Sequence, residues 1–348
     1  MLHERIRRAR ILRGMSLQDL ADAIGDISKQ ALSKYEAGRD TPGSTRIIQL
    51  ANALGLKPEY FFRPDTVVLG EVEFRKQTKL SKTNQRSIEE QAREHLERYL
   101  SLESCFEAGD VAISFPLGRK FPVRTVKDVE NAAKLLREQW AIGIDAIQNL
   151  TELLEDHGIK VVEIDAPDAF DGLSATVEDS DHIVVIVNQN KPGERQRFTA
   201  AHELGHIVMK MPASLSDKDC ENWCHRFAGA FLFPEEKVFE EFGRKRAHVH
   251  IQELKLAKRA YGISMQAVLR RLLDIAIISE ATYRFMMVRF SQWGFRKDEP
   301  EKLEREEPIR FRWLVYRGLA EGLYTPAKAA EFLQISLSDL ERAGALES

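Results

Sequence analysis

His202, Glu203 and His206 stand in the order His-Glu-x-x-His inside the run Arg195-Gln196-Arg197-Phe198-Thr199-Ala200-Ala201-His202-Glu203-Leu204-Gly205-His206-Ile207-Val208-Met209. On a helix this spacing puts two imidazoles one turn apart on one face, where both can bind a single Zn²⁺. Glu203 lies beside that face. It can accept a proton from an attacking water and return it to a leaving amine. Phe198, Ala201, Leu204 and Val208 supply an apolar face for packing. A bare pair of surface histidines would not be set among so many residues of buried type.

Such a centre needs a third protein donor, with a fourth position left open. Thirteen residues beyond His206 a second helical run opens at Asp219 and reaches Pro234, with Trp223, Phe227, Ala230 and Phe231 as its buried stripe. Asp219, Cys220, Glu221, Cys224 and His225 are all candidate donors, and spacing does not choose among them. A cysteine-rich structural zinc site is the competing reading. It would leave Glu203 without a task.

Three short Val- and Ile-rich runs precede the motif, 159–164, 173–177 and 183–188, each bounded by turn-forming residues. They read as strands that support it. Helices are expected over 126–140 and 144–157, with Gly158 closing the second, and Lys191-Pro192-Gly193 forms a turn. Arg195 and Arg197 are expected to pair with acids such as Asp171 or Glu194 rather than to touch substrate. No oxyanion stabiliser can be named, because His182, His248, His250 and Tyr261 lie in no diagnostic pattern.

The N-terminal 63 residues have a different character. They hold eleven Lys and Arg against seven Asp and Glu, a net of +4 on a chain whose formal net charge is −3, so the remainder carries −7. A basic head on an acidic body is the electrostatic form of a nucleic-acid-binding unit. The periodicity gives five helices. The first carries Ile6, Ala9 and Arg13 with Leu2 and Leu12. A second is capped by Ser16 and broken at Gly25. A third runs Lys29 to Ala37 with Leu32 and Tyr35 inward, a fourth Thr45 to Leu54, and Pro58 to Phe62 form a short fifth. In a helix-turn-helix the second helix of the pair enters the major groove. Its base-facing side chains here would be Ser28, Lys29, Gln30, Ser33 and Lys34; Gln can pair bidentately with adenine and Lys can reach guanine or phosphate.

Hydrophobic residues make up 43% and charged residues 30%, the balance of a soluble globular chain of two or three domains. No apolar run is long enough to span a membrane, the N-terminus lacks a signal-peptide core, and three cysteines make no disulfide framework. The expected compartment is the cytoplasm. Residues 64–85, including Arg75 to Lys82, read as a linker, and a long charged helix follows over about 87–106 with Ile88, Ala92, Leu96, Tyr99 and Leu100 as a core stripe. Residues 247–290 read as helical and 294–310 as a charged loop. The segment 325–340 is faintly similar to a second helix-turn-helix, but it lacks a turn glycine and a basic face. It is expected to serve packing or dimerisation.

Two family resemblances sharpen this reading. Ser16-Leu17-Gln18-Asp19-Leu20-Ala21, followed by Ser28 to Arg39 and Thr41-Pro42, resembles the XRE/Cro-repressor family over about 60 residues. This implies binding to a double-stranded DNA operator, normally as a homodimer. Arg195 to His206, with Glu221-x-Trp223-Cys224-x-Arg226-Phe227-Ala228 and Leu232-x-Pro234, is similar to the ImmA/IrrE family of metallopeptidases over about residues 125–240. That resemblance implies gluzincin-like zinc ligation by His202, His206 and Glu221, with Glu203 as base. His225 departs from it, since many relatives have Asn there; it is expected to be an ordinary helix residue rather than a hydrogen-bond partner of Glu221.

The expected fold is mainly α with a small α+β zinc-peptidase domain and an N-terminal five-helix helix-turn-helix domain. The division is 1–63 DNA-binding, 64–124 linker and long helix, 125–275 peptidase, and 276–348 a C-terminal helical extension. The implied function is a regulator that cleaves itself or a partner repressor. The alternative is a non-proteolytic ligand- or metal-sensing repressor, antitoxin-like, that uses the zinc domain only for binding.

Overall fold

The computed structural model describes residues 1–64, 67–70, 80–107, 109–111, 113, 115, 120–178 and 180–345. The linker stretch 71–79, with Arg75 to Lys79, lies outside the described residues. Of the described residues 58% are helical, and the chain forms two compact units, residues 1–110 with 314–348, and residues 111–313. The segment read as one C-terminal extension is therefore shared, with 276–313 in the second unit and 314–348 in the first.

In the first unit, α1 (Leu2–Leu12), α2 (Leu17–Ile24), α3 (Lys29–Glu36) and α4 (Ser44–Leu54) are followed by the short fifth helix expected at Pro58–Phe62, which is a 3₁₀ helix. Ser16 caps α2 in a capping box with Asp19, and Gly25 ends it at φ 87°, a left-handed conformation open mainly to glycine. Ile6, Ala9, Leu20, Leu32 and Leu50 are completely buried at the centre of this bundle.

Helix α5 (Lys82–Glu103) buries Ile88, Ala92, Leu96 and Tyr99 of the expected stripe, whereas Leu100 is only half-buried and Leu102 is buried in its stead. It packs on α1, and the contact also buries charge. Arg8 Nε lies 2.8 Å from Glu90 Oε2, and Arg5 Nη1 2.7 Å from Glu97 Oε2. Burying ions is costly unless they are paired, and here each buried guanidinium of α1 meets a carboxylate of α5.

In the second unit, β1 (Phe121–Pro122) and α6 (Val126–Gln139) precede α7 (Leu150–Asp156). The last is shorter than the expected 144–157: Asn149 supplies the cap by accepting from Glu152 N at 3.0 Å, and the Gly143 carbonyl is taken by Arg137 Nε at 2.7 Å. Then come β2 (Ile159–Ile164), β3 (Gly172–Thr176) and β4 (Ile183–Asn188), in sheet order β2-β4-β3, with β2 parallel and β3 antiparallel to a fully buried β4. Helix α8 (Gly193–Val208) crosses β3 and β4. After β5 (Met209–Lys210), parallel to β1, comes α9 (Asp217–Leu232), packed on α8 and α6. Helices α10 (Glu235–Phe242), α11 (Ile251–Tyr261), α12 (Met265–Asp274) and α13 (Glu280–Gln292) complete the core.

The charged segment after α13 is a strap rather than a free loop. Glu299 accepts from Met265 N at 2.8 Å and Gln266 N at 3.1 Å, the start of α12, and Glu306 accepts from Leu150 N at 2.9 Å and Thr151 N at 3.0 Å, the start of α7. Carboxylates at these ends satisfy N–H groups that have no partner within the helix and complement its dipole. The fully buried Lys258 lies 2.7 Å from Glu194 and 3.2 Å from Glu299.

Helices α14 (Arg310–Ala320), α15 (Pro326–Leu333) and α16 (Leu337–Ala345) end the chain. The turn between the last two has Gln334 at φ 57° where glycine was missing. Among the described residues no helix is long and apolar enough to cross a membrane.

Candidate functional site

Helix α8 starts at Gly193 behind Pro192 and buries Ala200, Ala201, Leu204, Ile207 and Val208. Gly205 lets α9 come close, since a β-carbon there would stand 3.1 Å from Phe227 Cδ1. The close crossing brings donors from both helices together. His202 Nε2 and His206 Nε2 are 3.2 Å apart, His206 Nε2 is 2.9 Å from Glu221 Oε1, and His202 Nε2 is 3.3 Å from Glu221 Oε2.

These separations bear on whether the residues suit a zinc-type ion. Donors at 2.0–2.1 Å from one tetrahedral ion lie about 3.3 Å from each other, which matches the triangle. Two imidazole lone pairs and a carboxylate aimed at one point repel each other unless a cation or shared protons lie between them. His202 is 7% exposed and its Nδ1 is buried with no hydrogen-bond partner among the described residues, so the ring's polar contacts are concentrated on the Nε2 side. The donor set fits a metal ion of zinc type.

Glu203 is buried beside the triangle, and Ser174 Oγ on β3 donates to its Oε2 at 2.8 Å. Gly172, two residues earlier on the same strand, makes that approach possible. A β-carbon at Gly172 would lie 2.5 Å from Thr199 Cγ2 on α8 and 2.6 Å from the Ile186 carbonyl oxygen.

The remaining candidates on α9 separate clearly. Asp219 accepts from Ser216 Oγ at 2.6 Å in the cap of the helix, and Cys224 is completely buried in the core. The metal-capable cluster of His202, Glu221 and His225, with ligand atoms all within 4.8 Å of one another, holds no cysteine. His225 is more than the ordinary helix residue expected. Its ring centroid is 4.3 Å from that of His202, and it stacks on Phe198 at 6.0 Å. Desolvation, then the His202 charge, pushes its pKa down to about 4, although the residue as a whole is exposed.

Arg195 pairs with Asp171 at 2.6 Å, as expected, whereas Arg197 pairs with Glu306 of the strap and donates to the Ile147 carbonyl. Glu194 is taken by Lys258. Tyr261 stacks on Phe233 with centroids 3.8 Å apart and its hydroxyl donates to Glu241.

On the N-terminal bundle, Ser28 caps α3 by accepting from Ala31 N at 3.2 Å. Ser28, Lys29, Gln30, Ser33 and Lys34 are all exposed, while Leu32 is buried behind them. The sequence reading missed what holds this helix: Arg10 Nε and Nη2 donate to Glu36 Oε1 and Oε2 at 2.6 and 2.7 Å, a two-point clamp from α1 onto the end of α3.

Comparison with known proteins agrees with both halves. Residues 6–61 match the family model described as Helix-turn-helix, and residues 154–273 match a peptidase-family model described as IrrE N-terminal-like domain. The chain is 32% identical over 109 residues to the SPbeta prophage-derived HTH-type transcriptional regulator YonR of Bacillus subtilis (strain 168), which covers 31% of this chain and 98% of that protein. It is 41% identical over 59 residues to the HTH-type transcriptional regulator y4wC of Sinorhizobium fredii and 39% identical over 70 residues to y4aM of the same species. These alignments cover 17% and 19% of the chain and 41% and 48% of those relatives, so it spans about half or less of each. The chain belongs to the helix-turn-helix transcriptional regulators. Joined to that DNA-binding head is a domain of the IrrE-like peptidase family.

Proposed function

We propose that this chain is an operator-binding regulator whose second unit is a zinc-dependent endopeptidase that cleaves itself or a partner repressor and so switches gene expression. The observation that carries the reading is the convergence of His202, His206 and Glu221 within 3.3 Å of one another beside the buried Glu203. His202, His206 and Glu221 hold the metal. When bound, the ion polarises the scissile carbonyl and makes water more acidic. Ser174 fixes Glu203 through Oε2, and Oε1 takes the proton of the attacking water and passes it to the leaving amine. The buried walls of α8 and β3 keep bulk water from competing for Glu203. Residues 1–63 form the head, with Ser28, Lys29, Gln30, Ser33 and Lys34 facing the operator as a homodimer in the cytoplasm, and residues 125–275 form the peptidase.

The test is Glu203→Gln in the full chain. It is expected to keep zinc and operator binding, lose cleavage of the regulator, and lock repression on in cells. Normal induction in that strain, with no cleaved regulator in wild-type cells, would leave a repressor that senses metal without turnover. One observation favours that second reading, the additional imidazole of His225 beside the donors.

A further inference from the structure

We propose that a cavity between the end of the helix-turn-helix head and helices α5 and α15 is a binding site for a small dianion of phosphate or dicarboxylate type. It lies wholly within the first unit and does not depend on the metal site proposed above. The cavity measures about 160 Å³. That is room for a ligand of roughly six to ten non-hydrogen atoms, since an engineered cavity of about 150 Å³ admits benzene.

The lining is built from charge. Four cations, Arg5, Arg63, Arg98 and Lys328, stand with two carboxylates, Glu97 and Glu331. Three distant stretches of chain supply them: α1 with the end of the head, then α5, then α15. Arg5 and Arg98 are only 1% and 6% exposed, and the buried Phe332 adds an apolar wall. Pro64 and Ser101 are exposed, so the cavity is reached from solvent.

Each carboxylate is shared. Glu97 is divided between Arg5 and Arg8, at 2.7 and 2.9 Å. Glu331 serves Arg63 Nη2 at 2.7 Å and Lys328 Nζ at 3.1 Å. Glu94, just outside the lining, holds Arg98 Nε at 2.9 Å and stands 3.6 Å from Arg63 Nη1. Arg63 thus depends on two shared partners, and its buried Nε has no hydrogen-bond partner among the described residues. Burial, opposed by Glu94 and assisted by the Arg63 charge, holds the Arg98 guanidinium below its ordinary pKa. An excess of one charge in a buried place is costly until the opposite charge joins it. Guanidinium forks match phosphate and carboxylate oxygens two at a time. A dianion held here would tie the end of the head to α5 and α15, which gives the regulator an inlet for a small-molecule signal.

Isothermal titration calorimetry of the full chain at fixed ionic strength tests the site, with inorganic phosphate and malonate as the probes. Saturable binding of about one anion per chain is expected for at least one of them, and the tighter of the two identifies the class. Arg63→Gln and Lys328→Gln are each expected to weaken it by about tenfold, the scale of one lost hydrogen bond to a charge. Lys328 is half-buried, so its variant tests the site with the fold intact. Lys134→Gln, on α6, is expected to bind as wild type does. No saturable binding of either anion would overturn the inference. Unchanged affinity in both cavity variants, or an equal loss in Lys134→Gln, would also overturn it, because general surface charge would then hold the anion.

Discussion

Ser174 and Glu203 are joined by a 2.8 Å hydrogen bond from strand to helix, donated by the hydroxyl to carboxylate Oε2. The bond orients a buried carboxylate. Ser174→Ala is expected to lower kcat for cleavage by about tenfold, the scale of one lost hydrogen bond to a charged group. Glu203→Gln is expected to lower it by at least about a hundredfold. Both should keep full zinc content. Equal kcat in Ser174→Ala and wild type would mean that the serine does not position the base.

The metal set makes its own prediction. Purified protein is expected to hold about one zinc per chain, and His202→Ala, His206→Ala and Glu221→Ala each to lose it. Cys224→Ala is expected to retain zinc, because Cys224 is packed in the core outside the donor cluster. Elemental analysis after dialysis decides between these outcomes. Retention in Glu221→Ala with loss in Cys224→Ala would reverse the assignment.

For the N-terminal head, operator affinity is expected to fall steeply as salt rises, because each phosphate neutralised releases counterions. Gln30→Ala is expected to cost about 1–3 kcal/mol against the cognate sequence and to relax preference at one base. Binding isotherms on single-base operator variants read this out. Deletion of residues 1–63 with undiminished operator affinity would remove the assignment of the head.

A pH signature belongs to Glu155. It is 3% exposed, and burial pushes its pKa from 4.5 up to about 7, with the Arg310 N–H opposing that shift. A carboxyl raised on folding binds its proton more tightly in the native state. The stability it contributes is thus fully present below about pH 4.5 and is lost as pH rises through about 7. The span amounts to at most about 3 kcal/mol. Urea unfolding of Glu155→Gln is expected to show a flatter stability profile between pH 5 and 7 than wild type; identical slopes would refute it.

These expectations differ in how far they could be read from the chain. The His202–His206 pair was legible because helix periodicity alone sets its spacing, and Leu32 and the exposed face of α3 followed from the same local rule. Glu221 needed the family resemblance, since five possible donors crowd the start of α9 and spacing does not rank them. Ser174 carried no signal: it meets Glu203 only because β3 packs on α8, across 29 residues of sequence. His225 was undervalued for the same reason, as its neighbours lie on the opposing helix. The pairs Arg5–Glu97 and Arg197–Glu306, 92 and 109 residues apart, were likewise hidden, because charge counts do not say which charges become buried.

The strap has a consequence for the newborn chain. The start of α7 receives its capping carboxylate, Glu306, from 156 residues downstream, and Lys258 waits for Glu299, 41 residues later. A ribosome that has released α8 and α9 has therefore exposed both helices that carry the proposed metal donors while α7 has only its local Asn149 cap and Arg197 lacks Glu306. The metal donors can be assembled before the scaffold around them is finished. Synthesis through residue 306 supplies both strap carboxylates, so a chain truncated before that point carries every proposed zinc ligand on an unfinished frame.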